Sequence, residues 1–259
     1  MTRSDPLLRV DDIGKSYGGQ IGCCDIEFDL HPGEVMAIVG ESGSGKSTLL
    51  QCLSGDLPAD RGRVNYLTRE EGYRDVLQMS EPRRRMLMRG EWGFVRQNPR
   101  DGLRMNVSAG ANIGERLMAA QARHYGQIRE QAEYWLSQVE IAGERLDHMP
   151  ATFSGGMQQR LQIARNLVTK PRLVLMDEPT GGLDVSVQAR LLDLLRRLVG
   201  ELDLAALVVT HDLAVARLLS HRMIVMKEGR IVEQGLTDQI LDDPQHAYSQ
   251  LLVSSILRS

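Results

Sequence analysis

A glycine-rich stretch, residues 40–47, has the clearest chemical pattern in the sequence. It consists of a glycine, four further residues and then Gly-Lys-Ser, and it follows an apolar run at residues 35–39. This spacing is typical of a phosphate-binding loop between a strand and a helix. Glycine backbones can adopt positive φ, so their N–H groups can turn toward a phosphate chain. The predicted nucleotide-binding residues of this stretch are Gly40, Glu41, Ser42, Gly43, Ser44, Gly45, Lys46, Ser47 and Thr48.

Lys46 and Ser47 supply the charge and the metal ligand that a bound nucleotide needs. The ammonium of Lys46 can bind the β- and γ-phosphates, and the hydroxyl of Ser47 can hold Mg²⁺. A helix that begins near Lys46 also directs its positive end at the same anion. The alternative interpretation is a glycine-rich connection without a ligand.

Asp177 and Glu178 come directly after an apolar strand predicted at residues 173–176. We expect both side chains at the carboxyl edge of a sheet, where the phosphate loop is also expected. Asp177 is suited to coordinating Mg²⁺ through water, and Glu178 to polarising the water that attacks the γ-phosphate. A simple strand-to-turn transition is the alternative.

Ser154, Gly155 and Gly156 stand at the start of a predicted helix and offer a second anion site of the same kind. One triphosphate needs only one such cradle. The second site therefore predicts that another chain's nucleotide docks there, in a head-to-tail dimer around two ATP molecules. An ordinary helix N-cap is the alternative.

Apolar strands alternate with amphipathic helices, which predicts a mostly parallel sheet covered on both faces. Turns are expected in the first part of the chain at residues 16–19, 32–33 and 60–62, and a helical lobe at residues 101–151. The arginines at positions 83–85 are interpreted as a solvated helix face, with a docking surface for an acidic partner or RNA as the alternative.

The composition is that of an ordinary globular protein. Of 259 residues, 42% are hydrophobic and 25% charged, and the net charge of -3 argues against nucleic acid as a partner. No apolar run reaches the length of a membrane span, and residues 1–6 lack the apolar core of a signal peptide. Cys23, Cys24 and Cys52 are expected to be reduced thiols. We therefore expect a cytoplasmic protein without direct membrane insertion.

The order of these motifs resembles that of the ATP-binding-cassette ATPases, over nearly the whole chain. The resemblance implies an α/β P-loop NTPase fold with a mixed, mostly parallel sheet core, an antiparallel N-terminal β subdomain and an inserted α-helical subdomain. It predicts one cassette domain over residues 1–259. The core would comprise residues 1–97 and 170–259, the helical insert residues 98–169, and a C-terminal helical extension residues 237–259.

The resemblance also implies roles for single residues. Glu178 and His211 would be catalytic, with His211 at the γ-phosphate, and Tyr17 would stack on adenine. Gln97 would contact Mg²⁺ with Ser47 and Asp177, and Asp184 would link the two sites. The signature that contacts the partner's ATP would comprise Ser154, Gly155, Gly156, Met157 and Gln158.

Two positions depart from the usual pattern of the family. The signature residue after the two glycines is Met157 rather than the commoner Gln, as it also is in the oligopeptide-importer branch. Gly181 and Gly182 replace the usual Ser-Ala before Leu183, which predicts a more flexible loop and weaker coupling between the sites.

A narrower resemblance is to the cassette subunits of bacterial carbon–phosphorus lyase systems, which act in phosphonate breakdown. It rests on residues 101–104, 112–118, 122–126, 152–165 and 251–255. It implies docking on a soluble, multi-subunit lyase core. The rival is the ATPase subunit of an oligopeptide- or nickel-type importer, and residues 101–126 favour the lyase. A regulatory module without turnover is disfavoured because Glu178 and His211 are both present.

Overall fold

A computed structural model describes residues 5–256 of the chain. Part of the N-terminal stretch examined for a signal peptide, residues 1–4, lies outside them, as does the end of the predicted C-terminal extension, residues 257–259. The strands are β1 (Leu8–Tyr17), β2 (Gln20–Leu30), β3 (Val35–Val39), β4 (Arg61–Thr68), β5 (Gly72–Asp75), β6 (Trp92–Val95), β7 (Leu173–Asp177), β8 (Ala205–Val209), β9 (Arg222–Lys227) and β10 (Arg230–Leu236). The helices are α1 (Lys46–Ser54), α2 (Glu81–Gly90), α3 (Pro99–Gly102), α4 (Ala109–Ala119), α5 (Tyr125–Gln138), α6 (Gly155–Leu167), α7 (Val185–Leu202), α8 (Leu213–Leu219), α9 (Thr237–Asp242) and α10 (Ala247–Ile256).

The chain folds into two compact units, and the first comprises residues 5–84 and 203–256 of the described part. It contains an antiparallel sheet in which β1 pairs with β2 and β4, and β4 pairs with β5. It also contains β3 paired in parallel with both β8 and β9, and β9 paired antiparallel with β10. Every residue of β3 and β8 is buried, because both strands consist of apolar residues covered on two faces.

The second unit comprises residues 85–202. Strands β6 and β7 pair in parallel within it, and helices α3 to α7 accompany them. Helix α7 carries a regular apolar stripe, which buries the leucines at 191, 194, 195 and 198. The expected fold class is confirmed: mixed α/β sheets, an antiparallel N-terminal sheet and a group of helices. The finer division into a core and an inserted subdomain stays a prediction.

Two predicted turns are wrong in their extent. Strand β1 continues to Tyr17, which pairs with Gln20, so only Gly18 and Gly19 form the turn. Both glycines have positive φ, which lets a two-residue turn close the hairpin.

Of the turn expected at residues 60–62, Arg61 and Gly62 are instead the start of strand β4. The backbone of Gly62 has φ of 96° and a side chain there would collide with the carbonyl of Asp12, where the pairing of β1 with β4 is irregular. The glycine is therefore needed at a bulge between paired strands rather than in a hairpin turn.

The three cysteines form no disulfide within the described part of the chain. The thiols of Cys23, Cys24 and Cys52 are free, and Cys23 and Cys52 are buried. Within residues 5–256, no helix has both the length and the apolar character needed to cross a bilayer.

Candidate functional site

The glycine-rich stretch forms a loop between β3 and α1, as its sequence predicts. Gly40, Gly43 and Gly45 have φ of 150°, 81° and 99°, which confirms the expectation of positive φ at all three. A side chain at Gly45 would collide with the carbonyl oxygen of Gly22. Helix α1 begins directly afterwards at Lys46, so the positive end of its dipole lies at the loop.

The ammonium of Lys46 lies inside the loop. It donates hydrogen bonds to the carbonyl oxygens of Gly40 and Glu41, at 2.7 Å each, and to the hydroxyl of Ser44 at 3.3 Å. The lysine is only 7% exposed. The ammonium is therefore bound by backbone carbonyl oxygens, and phosphate oxygens can replace these as its hydrogen-bond acceptors.

Tyr17 lies beside this loop in the first unit. The residue is 48% exposed. A Cβ added to Gly22 would be 2.8 Å from Cε2 of Tyr17 and 2.9 Å from Cγ2 of Thr48. Gly22 therefore lies between the ring and the first turn of α1, where a side chain would not fit. An exposed aromatic face next to a phosphate loop is suited to stacking on a base.

Asp60 anchors the end of β1 that carries Tyr17. Its carboxylate accepts hydrogen bonds from the ammonium of Lys15 at 2.7 Å and from the backbone N–H of Ser16 at 2.8 Å. The hydrogen bond from Lys15, followed by the one from Ser16, holds the pKa of Asp60 below its ordinary value. Sequence reasoning missed this residue because its partners are more than forty positions away.

His211 follows strand β8 at the same sheet edge as the phosphate loop. Val209 pairs with Ile38 of β3, and the N–H of Thr210 donates to the carbonyl of Ile38 at 3.1 Å. His211 and Gly40 each lie two residues beyond that pair. Asp212 then caps α8 by accepting the N–H of Ala214 at 2.8 Å, which fixes the backbone after the histidine.

Ser154 is the N-cap of α6 in the second unit, as expected for the second anion site. Its hydroxyl accepts the N–H of Met157 at 3.3 Å, and both Ser154 and Gly155 are exposed. Gly156 is buried, and a Cβ there would be 2.6 Å from Cγ1 of Val187. The exposed start of a helix of 13 residues is thus available to an anion.

Gln158 differs from the rest of the signature because its side chain is turned inward. Its amide donates to the carbonyl oxygens of Pro150 at 3.0 Å and Phe153 at 3.1 Å. The amide holds the segment before the signature in place. A contact between Gln158 and nucleotide stays a prediction.

Glu178 follows β7 with φ of 45°, in the left-handed region. This conformation is costly for a residue with a side chain and is found preferentially at functional sites. The carbonyl of Glu178 accepts the N–H of Gly181 at 2.9 Å, which closes a tight turn after the strand. Asp177 is the last residue of β7, so the two carboxylates stand at its carboxyl end.

A cavity of about 340 Å³ in the second unit brings several predicted site residues together. Its lining includes Gln97, the signature residues Gly155 and Gln158, and Gly181 and Gly182 of the loop after Glu178. Nε2 of Gln97 lies 3.6 Å from the position of a Cβ on Gly181. Asp184, two residues beyond Gly182, is exposed, and its carbonyl accepts the N–H of Gln188 at 2.8 Å at the start of α7.

Buried amides of α6 hold the strand that leads to Gln97. Asn166 accepts the N–H of Phe94 and donates to its carbonyl, at 3.0 Å each. Gln162 accepts the N–H of Arg96 at 2.6 Å and donates to its carbonyl at 3.1 Å. The signature helix therefore continues the hydrogen-bond ladder of β6, an arrangement that sequence reasoning missed.

The structure thus groups the predicted residues within each unit. In the first unit the phosphate loop, Tyr17 and His211 are neighbours. In the second unit Gln97, the signature and the loop after Glu178 line one cavity.

Comparisons with known proteins identify the family of the chain. The sequence profile of the ABC transporter family matches residues 23–181. The putative phosphonates utilization ATP-binding protein PhnK of Escherichia coli K12 is 62% identical over 256 residues, which cover 99% of this chain and 100% of PhnK. The oligopeptide transport ATP-binding protein OppD of Bacillus subtilis is 36% identical over 265 residues, covering 99% of this chain and 73% of OppD.

Solved structures of cassettes are also similar. CbiO1 of Clostridium perfringens, part of the transporter complex cbiONQ, has a TM-score of 0.79 at 28% identity, covering 93% of this chain and 92% of its own. The ATP-binding cassette MJ0796, in a dimeric post-hydrolysis state bound to ADP and phosphate, has a TM-score of 0.78 at 28% identity, covering 89% of this chain and 98% of its own. The chain therefore belongs to the ABC transporter family and is an ATPase of the ATP-binding-cassette class.

Proposed function

We propose that this chain is the ATP-hydrolysing subunit of a carbon–phosphorus lyase complex and supports phosphonate catabolism. The observation that carries the proposal is the identity of 62% with PhnK, over 99% of this chain and 100% of PhnK. Peptide-transport cassettes such as OppD reach 36%. The difference favours phosphonate utilization over peptide import.

In this proposal the predicted residues divide the work of ATP hydrolysis. Lys46 and the loop amides bind the β- and γ-phosphates. Glu178 polarises the attacking water, whose oxygen bonds to the γ-phosphorus while the bond to the ADP oxygen breaks. His211 stabilises the γ-phosphate, and Tyr17 stacks on adenine. The enclosed ammonium of Lys46 and the left-handed backbone of Glu178 support these assignments.

Mg²⁺ fits the donor atoms that the chain offers. Ser47 presents an exposed hydroxyl in the first turn of α1, and Gln97 and Asp177 offer an amide and a carboxylate oxygen. Hard oxygen donors of this kind suit Mg²⁺, which keeps several waters and binds nucleotide phosphates. The ion would neutralise charge that develops on the phosphates.

A second cassette subunit, identical or different, would complete each nucleotide site. The exposed N-terminus of α6 at Ser154 would contact the partner's ATP, and Asp184 would link the two sites. The dimeric state of the similar cassette MJ0796 supports this arrangement. ATP-driven closure of the dimer would then act on a soluble lyase core in the cytoplasm.

Growth on a phosphonate as the sole phosphorus source tests the proposed function. A strain without this gene should regain growth with the wild-type chain but not with Lys46→Ala or Glu178→Gln. All strains should grow equally on inorganic phosphate, which controls for general defects. Normal growth of the deletion strain on phosphonates, together with impaired uptake of peptides or nickel, would contradict the proposal and favour an importer.

A further inference from the structure

The C-terminal helix α10 reaches the phosphate loop through one side chain. The hydroxyl of Tyr248 accepts a hydrogen bond from the backbone N–H of Glu41 at 3.0 Å. Glu41 is the first residue after Gly40, and its carbonyl accepts the ammonium of Lys46 at 2.7 Å. The residue is therefore held at both of its peptide groups, by Tyr248 on one side and by Lys46 on the other.

The start of α10 is fixed independently of the loop. The carboxylate of Glu233 on β10 accepts the N–H groups of Gln245 at 2.9 Å and His246 at 3.1 Å. The imidazole of His246 in turn accepts the N–H of Tyr248 at 3.1 Å. These bonds supply acceptors for N–H groups at the helix start, which have no partner within the helix, and they anchor Tyr248 to the sheet.

The ring of Tyr248 is packed rather than mobile. The residue is 6% exposed and belongs to a buried cluster with Val39, Val225 and Leu241. The ammonium of Lys227 lies 5.2 Å from the ring centroid, in a cation–π contact. Val39 directly precedes the phosphate loop, so the ring and the hydroxyl both act on the same turn of the chain.

We propose that Tyr248 is a positioning residue for ATP binding, which acts through Glu41 to hold Lys46 at the depth where the phosphates bind. When the ammonium exchanges the carbonyls of Gly40 and Glu41 for phosphate oxygens, the hydrogen bond that the N–H of Glu41 donates to Tyr248 remains and fixes Glu41. The C-terminal extension is then part of the nucleotide site. This inference rests on the proposed role of Lys46 in binding the phosphates.

Tyr248→Phe isolates the hydroxyl because it retains the ring and its packing. We expect the dissociation constant for the fluorescent analogue mant-ATP to rise about three- to tenfold, as for the loss of one hydrogen bond. The turnover at saturating ATP should stay near the wild-type value. Hydrogen–deuterium exchange should speed up in the phosphate-loop peptide.

Tyr73→Phe is the matched control, since it also deletes a tyrosine hydroxyl bond in the first unit. The hydroxyl of Tyr73 donates to the carbonyl of Pro6 at 2.6 Å, on the antiparallel sheet. We expect this variant to bind mant-ATP as tightly as the wild type, whatever its melting temperature. A role of Tyr248 in stability alone would lower the melting temperature without changing affinity or loop exchange.

Two results separate the failure of this inference from that of the assigned site. If Lys46→Ala loses mant-ATP binding but Tyr248→Phe binds as tightly as the wild type, the role of Tyr248 is wrong and the site assignment stands. If Lys46→Ala retains tight binding, the phosphate site itself is wrongly assigned, and the role of Tyr248 is wrong with it.

Discussion

Glu178 combines an unfavourable backbone conformation with a position at the carboxyl end of a buried strand. Its φ of 45° is maintained by the turn that Gly181 closes. A simple strand end would not require such strain, since an extended residue or a glycine would serve. At the scale of single residues, the proposed catalytic role is supported by the position of Glu178 at the end of a buried strand together with its φ, since positive φ alone is shared by Glu140 and six other described non-glycine residues.

We predict that Glu178→Gln keeps ATP binding, slows hydrolysis about 10²-fold or more and accumulates an ATP-bound dimer, because the amide cannot accept a proton from water. Turnover of ATP under saturating conditions measures the effect. Glu140→Gln is a matched control in the same unit. Glu140 also has positive φ (56°), and its carboxylate forms an ion pair with Arg160. Near-normal turnover in Glu178→Gln would remove this residue from its role.

At the scale of elements, helix α6 connects the signature to the strand that ends before Gln97. Gln162 is fully buried and satisfies both backbone groups of Arg96. Asn166, one helical turn after Gln162, satisfies both backbone groups of Phe94. The strand edge is thereby paired with side chains instead of another strand.

Gln162→Leu should leave the N–H of Arg96 without its partner and cost about 1–3 kcal/mol of unfolding free energy. The shift of the urea midpoint measures this cost. Gln131→Leu on the exposed surface of α5 is the control and should change the unfolding free energy by less than about 0.5 kcal/mol. Equal midpoints for the two variants would show that the amide ladder contributes little.

The sequence predicted most elements and the phosphate loop because both have local signals: apolar periodicity, and glycines where positive φ is needed. It did not predict the ends of β1 and β4, because pairing with β2 and a bulge opposite Asp12 decide them. Nor did it identify Asp60, Gln162 or Tyr248. Each of these acts on a partner more than forty residues away, and no local pattern marks such a partner.

At the scale of the whole molecule, the family and the ATPase activity are established, and the partner decides the biological role. The identity of 62% with PhnK extends over 99% of this chain, and residues 101–126 are the segment whose sequence favours the lyase over the importer. Identification of the partner would therefore decide between the lyase and the importer.

Co-purification from cells that grow on a phosphonate as sole phosphorus source would identify the partner of this chain. The tagged wild-type chain, and Glu178→Gln to trap the ATP-bound state, would be recovered from soluble and membrane fractions and their partners identified. We expect carbon–phosphorus lyase subunits in the soluble fraction, retained more strongly by Glu178→Gln. Recovery with a membrane permease in place of those subunits would contradict the proposed function.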